Sequence, residues 1–274
     1  MAVNININEV TGNLNVDENA TLDTVSVSVR KANYTGSIEG SDTFNNTVSI
    51  VGTSSVGDID GGSAIDRVNV RAETFEGNID LLDGNNVATL VSRNNTFTGA
   101  VDIDDINAGS GNDRITILSD RIESVDNTDI NINLGEGNNR VVLNSSPTND
   151  LGVVAADVTT GTGNDTVLLT GDTITGNSTL GSGVNNVRVI SANRGLTGNA
   201  TVDVTTLAGK DTVFVRADEY NGTINTGDEI DRVTLVTNAD TNATVDTGAG
   251  NDVLVARSID SNLTLDVGAG DNRV

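Results

Sequence analysis

One short phrase recurs along the whole chain: an Asn or Asp, one further residue, and then an aliphatic residue that opens a stretch of alternating apolar and polar residues. Examples are Asp23-Thr24-Val25, Asp66-Arg67-Val68, Asn85-Asn86-Val87, Asp165-Thr166-Val167 and Asp231-Arg232-Val233. Successive copies lie about 20 or about 26 residues apart. A period of this length is typical of solenoid proteins, in which each repeat forms one coil.

Each repeat predicts two strands and two turns. The first strand follows the Asx residue, as in Val213-Phe214-Val215, and the second follows a bend that contains glycine, as in Gly77-Asn78-Ile79 and Gly222-Thr223-Ile224. No stretch shows a sustained 3.6-residue apolar period, and Gly and Asn recur too often for helices. The sequence therefore predicts an all-β fold, a single parallel β-solenoid with about 20 residues per coil and occasional loop insertions.

The predicted solenoid is one domain, residues 1–274, of about twelve coils that are less regular in residues 1–100. Because a single coil cannot bury its own apolar face, stacking is expected to bury Val25, Val48 and Val68 in one continuous row. Aromatic residues make up only 2% of the chain, and a thin stack of strands needs only small branched side chains. Pro147 predicts a loop inserted between two coils.

The charge of the chain excludes several classes of partner. It has 39 acidic and 15 basic residues, a formal net charge of -24. Nucleic acids and anionic membrane surfaces would be repelled, so no nucleic-acid partner is expected. No apolar run is long enough to cross a bilayer, so no membrane insertion is expected. The absence of cysteine and histidine removes disulfides, thiolate metal sites and the commonest general base.

Three turns share an explicit pattern: Gly109-Ser110-Gly111-Asn112-Asp113, Gly161-Thr162-Gly163-Asn164-Asp165 and Gly248-Ala249-Gly250-Asn251-Asp252. Glycines let the backbone turn with its carbonyls inward, and the Asp adds a hard oxygen, which is the ligand type that Ca²⁺ prefers. The candidate metal ligands are therefore Gly109, Gly111, Asp113, Gly161, Gly163, Asp165, Gly248, Gly250 and Asp252, with Asp211 and Asp231 at the same place in two further repeats.

These turns resemble the RTX family, the haemolysin-type calcium-binding repeats, whose nonapeptide G-G-x-G-x-D-x-U-x forms a parallel β-roll. The resemblance implies a secreted protein with Ca²⁺ in its turns. The chain departs from the family pattern because the first glycine is replaced by Ala108, Thr160 and Thr247, and because the motif occurs once per coil. In further repeats Asn stands where the family has Asp, as at Asn139 and Asn185.

A second interpretation of the turns stays open. An Asx residue at the same place in successive coils can form a side-chain ladder that satisfies the backbone groups of the turn without any ion. Asn interspersed with Asp would lower the repulsion between neighbouring carboxylates of such a ladder.

Three functions follow as hypotheses. The chain opens with Ala2-Val3-Asn4-Ile5, already an alternating strand, and stops at Val274, where another strand is expected. The first hypothesis is therefore a non-enzymatic extracellular or cell-surface structural protein that assembles with itself, head to tail, into a filament, sheath or surface layer. The second is a calcium-dependent adhesin or ligand-binding segment of a longer secreted protein, with cell-surface or matrix glycans as candidate partners. The third is a glycan-processing enzyme with paired carboxylates such as Asp102, Asp104 and Asp105, or Glu229 and Asp231.

Overall fold

The computed structural model describes residues 2–7, 14–15, 24–30, 33–92, 100–102, 105–123, 129–145, 152–191, 198–259 and 261–274. In these ranges every regular element is a β-strand and no helix occurs. The strands form long parallel sheets in which each coil stacks on the one before it. The predicted all-β parallel solenoid is therefore confirmed. Pro147 lies outside the described residues.

One side of the solenoid is a parallel sheet, here named sheet A, which has twelve strands in the described part of the chain and pairs them in strict chain order. Arg67 pairs with Val87 twenty residues later, and Arg114 pairs with Arg140 after twenty-six. Both predicted coil lengths are therefore present. The strands of sheet A are β1 (Ala2–Ile7), β3 (Thr24–Arg30), β6 (Asn45–Val51), β9 (Arg67–Ala72), β12 (Val87–Ser92), β15 (Arg114–Leu118), β18 (Arg140–Asn144), β20 (Thr166–Thr170), β22 (Asn186–Ile190), β24 (Thr212–Ala217), β26 (Arg232–Thr237) and β28 (Val253–Arg257).

The rest of each coil contributes to a second parallel sheet, sheet B, with seventeen strands among the described residues. They are β2 (Leu14–Asn15), β4 (Asn33–Thr35), β5 (Ile38–Glu39), β7 (Ser54–Val56), β8 (Ile59–Asp60), β10 (Thr74–Glu76), β11 (Ile79–Asp80), β13 (Ala100–Asp102), β14 (Asp105–Ala108), β16 (Arg121–Ile122), β17 (Ile130–Leu134), β19 (Val153–Thr160), β21 (Thr173–Leu180), β23 (Asn199–Thr206), β25 (Glu219–Asn225), β27 (Thr241–Asp246) and β29 (Ser261–Asp266).

Sheet B differs between the two halves of the chain. Before residue 150 a coil contributes two short strands to it, such as β10 and β11. From β19 onward one long strand replaces both, because β19 pairs with β16 at its start and with β17 at its end. The prediction of two strands per coil therefore holds only in the C-terminal half. Gly222 also lies inside β25, where its φ of 157° lets the long strand bend, and not before a strand as predicted.

The core of the solenoid consists of aliphatic columns that run along its axis. On sheet A, Val48 pairs with Val68 as predicted, but its partner in the preceding coil is Val27. The expectation that Val25 belongs to this row is wrong, because Val25 pairs with Asn46. The error arises because the Asx phrase at Asp23 lies two residues earlier in its coil than the other copies. Full burial of such an aliphatic side chain stabilises the fold by about 1.5–3 kcal/mol.

In the described part of the core, each buried aromatic residue pairs with a small residue in at least one neighbouring coil. On sheet B, Tyr34 and Phe75 are both buried, and Ser55 lies between them in the pairing. Tyr220 lies between Ala200 and Thr241 in the same way. Alternation of large and small side chains keeps the local volume near that of the aliphatic columns. This packing explains how the solenoid accommodates its few aromatic residues.

Successive coils approach each other closely at the turn into sheet A. Gly163 has a φ of 147°, and a Cβ atom there would lie 1.8 Å from the carbonyl oxygen of Gly137 in the preceding coil. Glu229 occupies the corresponding place in its own turn, with a φ of 87°. A left-handed conformation costs a residue with a side chain about 1–2 kcal/mol, so this turn is strained.

We expect opposite effects from two substitutions in this glycine column. Gly163→Ala should lower the free energy of unfolding by about 2–4 kcal/mol, because the new methyl group collides with backbone. Glu229→Gly should raise it by about 1 kcal/mol by relieving the strain. Urea unfolding followed by circular dichroism measures both. Glu229→Ala is the matched control, since it removes the charge and keeps the positive φ; equal gains from the two Glu229 variants would contradict the strain argument.

Candidate functional site

The Asx residues at the entrance to sheet A form a column along the axis, here named the inner ladder. The backbone N–H of each member donates to the side-chain Oδ1 of the member in the next coil, at distances between 2.7 and 3.0 Å. The members from Asn46 to Asp252 are at most 2% exposed. The inner ladder comprises Asn46, Asp66, Asn86, Asp113, Asn139, Asp165, Asn185, Asp211, Asp231, Asp252 and Asn272.

A second, exposed ladder runs beside it in the opposite direction. Here the backbone N–H of Asn138 donates to Oδ1 of Asn112 in the preceding coil, and that of Asn164 donates to Oδ1 of Asn138. Consecutive N–H groups of one turn therefore bond to the coils on either side of it. Side-chain oxygens satisfy backbone donors that would otherwise be unpaired in a buried turn. Side-chain ladders of the kind described in the second sequence interpretation are therefore present.

The structure places every predicted metal ligand in or beside the inner ladder. Asp113, Asp165, Asp211, Asp231 and Asp252 are ladder members in five different coils. Each predicted glycine precedes a ladder Asp in the same turn, by four residues for Gly109, Gly161 and Gly248 and by two for Gly111, Gly163 and Gly250.

The carboxylates of these five residues are not brought into one cluster. Within the described ranges, no group of three or more acidic side chains lies close enough together to hold a metal ion. A cation at one of these turns would therefore have to be bound largely by backbone carbonyls.

Sequence reasoning also missed one member of the inner ladder. Asn86 is the member in its coil, whereas the repeated phrase indicated Asn85. A signal for the correct residue exists five positions before it, where Leu81 matches Leu134 before Asn139 and Leu180 before Asn185.

Asn and Asp differ in the hydrogen bonds that the second polar atom of the side chain can make, Nδ2 in Asn and Oδ2 in Asp. The amide of Asn139 donates from Nδ2 to the carbonyl oxygen of Gly135 at 2.9 Å, and that of Asn185 donates to Gly181 at 2.8 Å. An ionised Asp presents an acceptor oxygen at the corresponding branch and donates nothing to these carbonyls. In a turn with Asp, another group must therefore donate a hydrogen bond to Oδ2, whereas in a turn with Asn the side chain is itself the donor.

Two Asp turns contain such a donor. Asp66 accepts at Oδ2 from the backbone N–H of Gly62 at 2.8 Å, and Asp165 accepts at Oδ2 from the Thr160 hydroxyl at 2.7 Å. In the other four turns, those of Asp113, Asp211, Asp231 and Asp252, Oδ2 is buried and has no hydrogen-bond partner within normal distance in the described structure. A hydroxyl group stands at the place of Thr160 in three of these turns, at Thr206, Thr226 and Thr247. A buried acceptor without a partner costs about 1–3 kcal/mol, and more when it is charged.

Three of these carboxyls, those of Asp113, Asp211 and Asp231, have raised pKa values. Burial raises the pKa of Asp113 to about 6. Burial, with the nearby charges of Asp211 and Asp252, raises the pKa of Asp231 to about 7. Burial also raises the pKa of Asp165 and that of Asp211. Desolvation favours the neutral acid, and the proton would supply the missing donor.

The two carboxylates suggested for glycan cleavage, Glu229 and Asp231, differ in burial. Asp231 is buried in the inner ladder, whereas Glu229 is exposed in the strained turn. The inner ladder bonds hold Asp231 inside the stack, away from any substrate at the surface. Of the other carboxylates suggested for this chemistry, Asp104 and the side chain of Asp102 lie outside the described residues.

Stability should fall as the pH rises. An Asp whose pKa is higher in the folded state than its unfolded value of about 3.9 binds its proton more tightly when folded, so its contribution is complete below pH 3.9 and lost on passing the folded pKa. For Asp231 that window extends to about pH 7. Melting temperatures between pH 4 and pH 8 should therefore decrease, and Asp231→Asn should raise the melting temperature at pH 8 and little at pH 4.

The exposed Asp228 gives the control for this prediction. Asp228→Asn removes the same charge outside the ladder and should leave the pH dependence in place. If the two variants shift the melting temperature at pH 8 equally, general repulsion between surface charges explains the effect and the ladder does not.

The described residues contain no helix long and apolar enough to span a membrane. Calcium binding and the likeness of the turns to RTX repeats stay predictions. Comparison of the chain with protein-family models, with curated proteins and with solved structures finds no match.

Proposed function

We propose that the chain is a non-enzymatic extracellular structural protein that assembles with itself, head to tail, into a filament, sheath or surface layer. The observation that carries the proposal is the parallel stacking of the coils, which makes both faces of a coil pairing surfaces. Within the chain, each coil covers the aliphatic columns of the one before it and pairs with both of its sheets. A coil of a second copy can pair with such a face in the same way.

The last coil exposes apolar side chains that are buried elsewhere. Val245 is fully buried in β27, whereas its partner in β29, Leu265, is 39% exposed. Val274 is 74% exposed. The free edge of β29 also carries backbone donors and acceptors, which makes it a template for pairing with another strand. Burial of these side chains would favour association by about 25 cal/mol per Å².

The first coil supplies a complementary edge. Strand β1 is at the other end of sheet A and pairs in register with β3. A second copy placed with β1 next to β28 would continue sheet A in parallel. The inner ladder would not continue in the same way, because Val25 stands at the ladder position in the coil of β3 and Val3 at that position in the coil of β1. The proposed junction therefore depends on backbone pairing and aliphatic burial.

Assembly should be lost on placing a charge on the open face. At micromolar concentration we expect the wild-type chain to elute from a sizing column as a series of oligomers and to form filaments in electron micrographs. Leu265→Arg should leave monomers, because a buried guanidinium at the junction would lack a partner. Val184→Arg is the matched control, since Val184 is 56% exposed on the side of the solenoid. A wild-type chain that stays monomeric at all salt and calcium concentrations would refute the proposal.

A calcium-dependent adhesin is the second candidate, and the unpartnered ladder oxygens favour it. Asp231 and Asp252 lie in adjacent coils, and the Oδ2 atom of each is buried without a partner. These oxygens fit a hard cation, which would supply the missing positive charge. In other coils, Oδ2 of Asp113 and Oδ2 of Asp211 are also buried without a hydrogen-bond partner. Carbonyl oxygens of the glycine turns would complete the ligand set.

Calorimetric titration tests this candidate. Wild-type protein should take up Ca²⁺ with saturation and melt at a higher temperature when it is bound. The double variant Asp231→Asn with Asp252→Asn should lose part of that uptake. Asp228→Asn with Asp271→Asn removes two exposed carboxylates and should not. A flat wild-type titration would remove calcium from the account without touching the assembly proposal.

A further inference from the structure

The outer face of sheet B carries a shallow groove in the C-terminal half of the chain. Two cavities of about 390 and 340 Å³ adjoin each other there and share Asn221. Together they extend across β21, β23, β25, β27 and β29, at the place where the long strands bend. The groove therefore runs along the solenoid axis and crosses five coils.

The groove is lined by polar residues that the strand pairing places in register. One row contains Thr175, Thr201, Asn221, Asn242 and Asn262, each paired with the next. In a second row two residues further along each strand, Asn177 pairs with Asp203. Parallel strands repeat at about 4.8 Å, so the groove presents hydroxyl and amide groups at that spacing.

Hydrogen bonds between coils hold several of these side chains in place. The Thr175 hydroxyl donates to Oδ1 of Asp129 at 3.1 Å, and Asn262 donates from Nδ2 to Oδ1 of Asn242 at 3.1 Å. Below the groove, the buried Tyr220 hydroxyl donates to the carbonyl oxygen of Val202 at 2.8 Å. Side chains that are already ordered lose little further entropy when a ligand binds.

The chemistry of the lining selects the ligand. Hydroxyl, amide and carboxylate groups line both cavities, and no Lys or Arg does so among the described residues. Asp129, Asp203 and Asp240 would repel an anionic polymer. Amide and hydroxyl groups donate to and accept from sugar hydroxyls, and the carboxylates add acceptors. An elongated groove of such groups suits an elongated, uncharged and hydroxyl-rich chain.

We propose that this groove binds a neutral polysaccharide laid along the solenoid axis. The proposal deepens the proposed extracellular function, which places the chain where such polymers occur. It gives the candidate glycan partner a defined site on β21 to β29. Several weak contacts, repeated from coil to coil, would add up along one polymer chain. The groove and the open end of the stack are separate surfaces, so binding and assembly can be tested separately.

Co-sedimentation with insoluble polysaccharides tests the proposal. The probes are cellulose, chitin and a (1→3)-β-glucan as neutral polymers, and calcium-free pectate gel beads as an anionic one, all with EDTA present. Wild-type protein should bind at least one neutral polymer and not the anionic one. Thr201→Ala combined with Asn221→Ala should weaken that binding roughly thirtyfold, because each of the two lost hydrogen bonds contributes about 1 kcal/mol. Asn69→Ala, at an exposed site on sheet A, should bind as wild type does.

Three results would contradict polysaccharide binding in the groove. Failure of the wild type to bind any neutral polymer, preference for the anionic polymer, or equal binding by the groove variant and the wild type would overturn it. Circular dichroism of the variants shows whether the solenoid is intact. Electron microscopy of the same samples without polysaccharide separates the outcomes, since filaments without polymer binding reject the groove alone, and polymer binding without filaments rejects assembly alone.

Discussion

Parallel pairing between consecutive coils is the constraint on which the rest of this structure depends. Pairing in register places residues 20 or 26 positions apart in one column, so each column must hold side chains that tolerate identical surroundings. Inward columns on sheet A are aliphatic and buried, as at Val141, Val167 and Val187. The column of closest backbone approach is glycine, as at Gly137 and Gly163. The solenoid is stable because coils cover one another, and one coil alone buries nothing.

The inner ladder satisfies two demands with one residue type. Its Oδ1 atom must accept a backbone N–H, which Asn and Asp do equally well. Its other branch atom meets the carbonyls of its own turn, which suits Asn. From Asn46 to Asp211 the ladder alternates strictly between Asn and Asp, so no two carboxylates are adjacent there. Only Asp211, Asp231 and Asp252 break the alternation, and this part of the ladder contains the carboxyl with the pKa of about 7.

The sequence predicted those features that recur within one repeat. The coil period, the strand after each Asx and the Asx column are all local, and the fold class follows from them. The predicted register was wrong at Val25 and at Asn85. The repeated phrase alone does not show which residue of a coil aligns with which residue of the neighbouring coil. The groove could not be predicted, since it depends on the merging of two short strands into one bent strand and on the register of Thr201 with Asn221.

Surface positions differ in how far the stacking of the coils determines their residue type, and this difference indicates which positions are candidates for binding a partner. Turn residues of the inner ladder are held by hydrogen bonds to the next coil, and those of the exposed ladder by hydrogen bonds to the preceding coil. Their polar groups are therefore used in the stacking of the coils. The outer column of sheet A shows no ladder of this kind among the described residues and mixes unrelated side chains. It includes Leu168, Arg188 and Phe214, of which the last two form a cation–π contact at 5.2 Å. The outer face of sheet B combines exposure with a repeated polar pattern across five coils. Since neither backbone satisfaction nor core packing requires the row from Thr175 to Asn262, recognition of a partner with its own repeat is the physical demand that would account for its regularity.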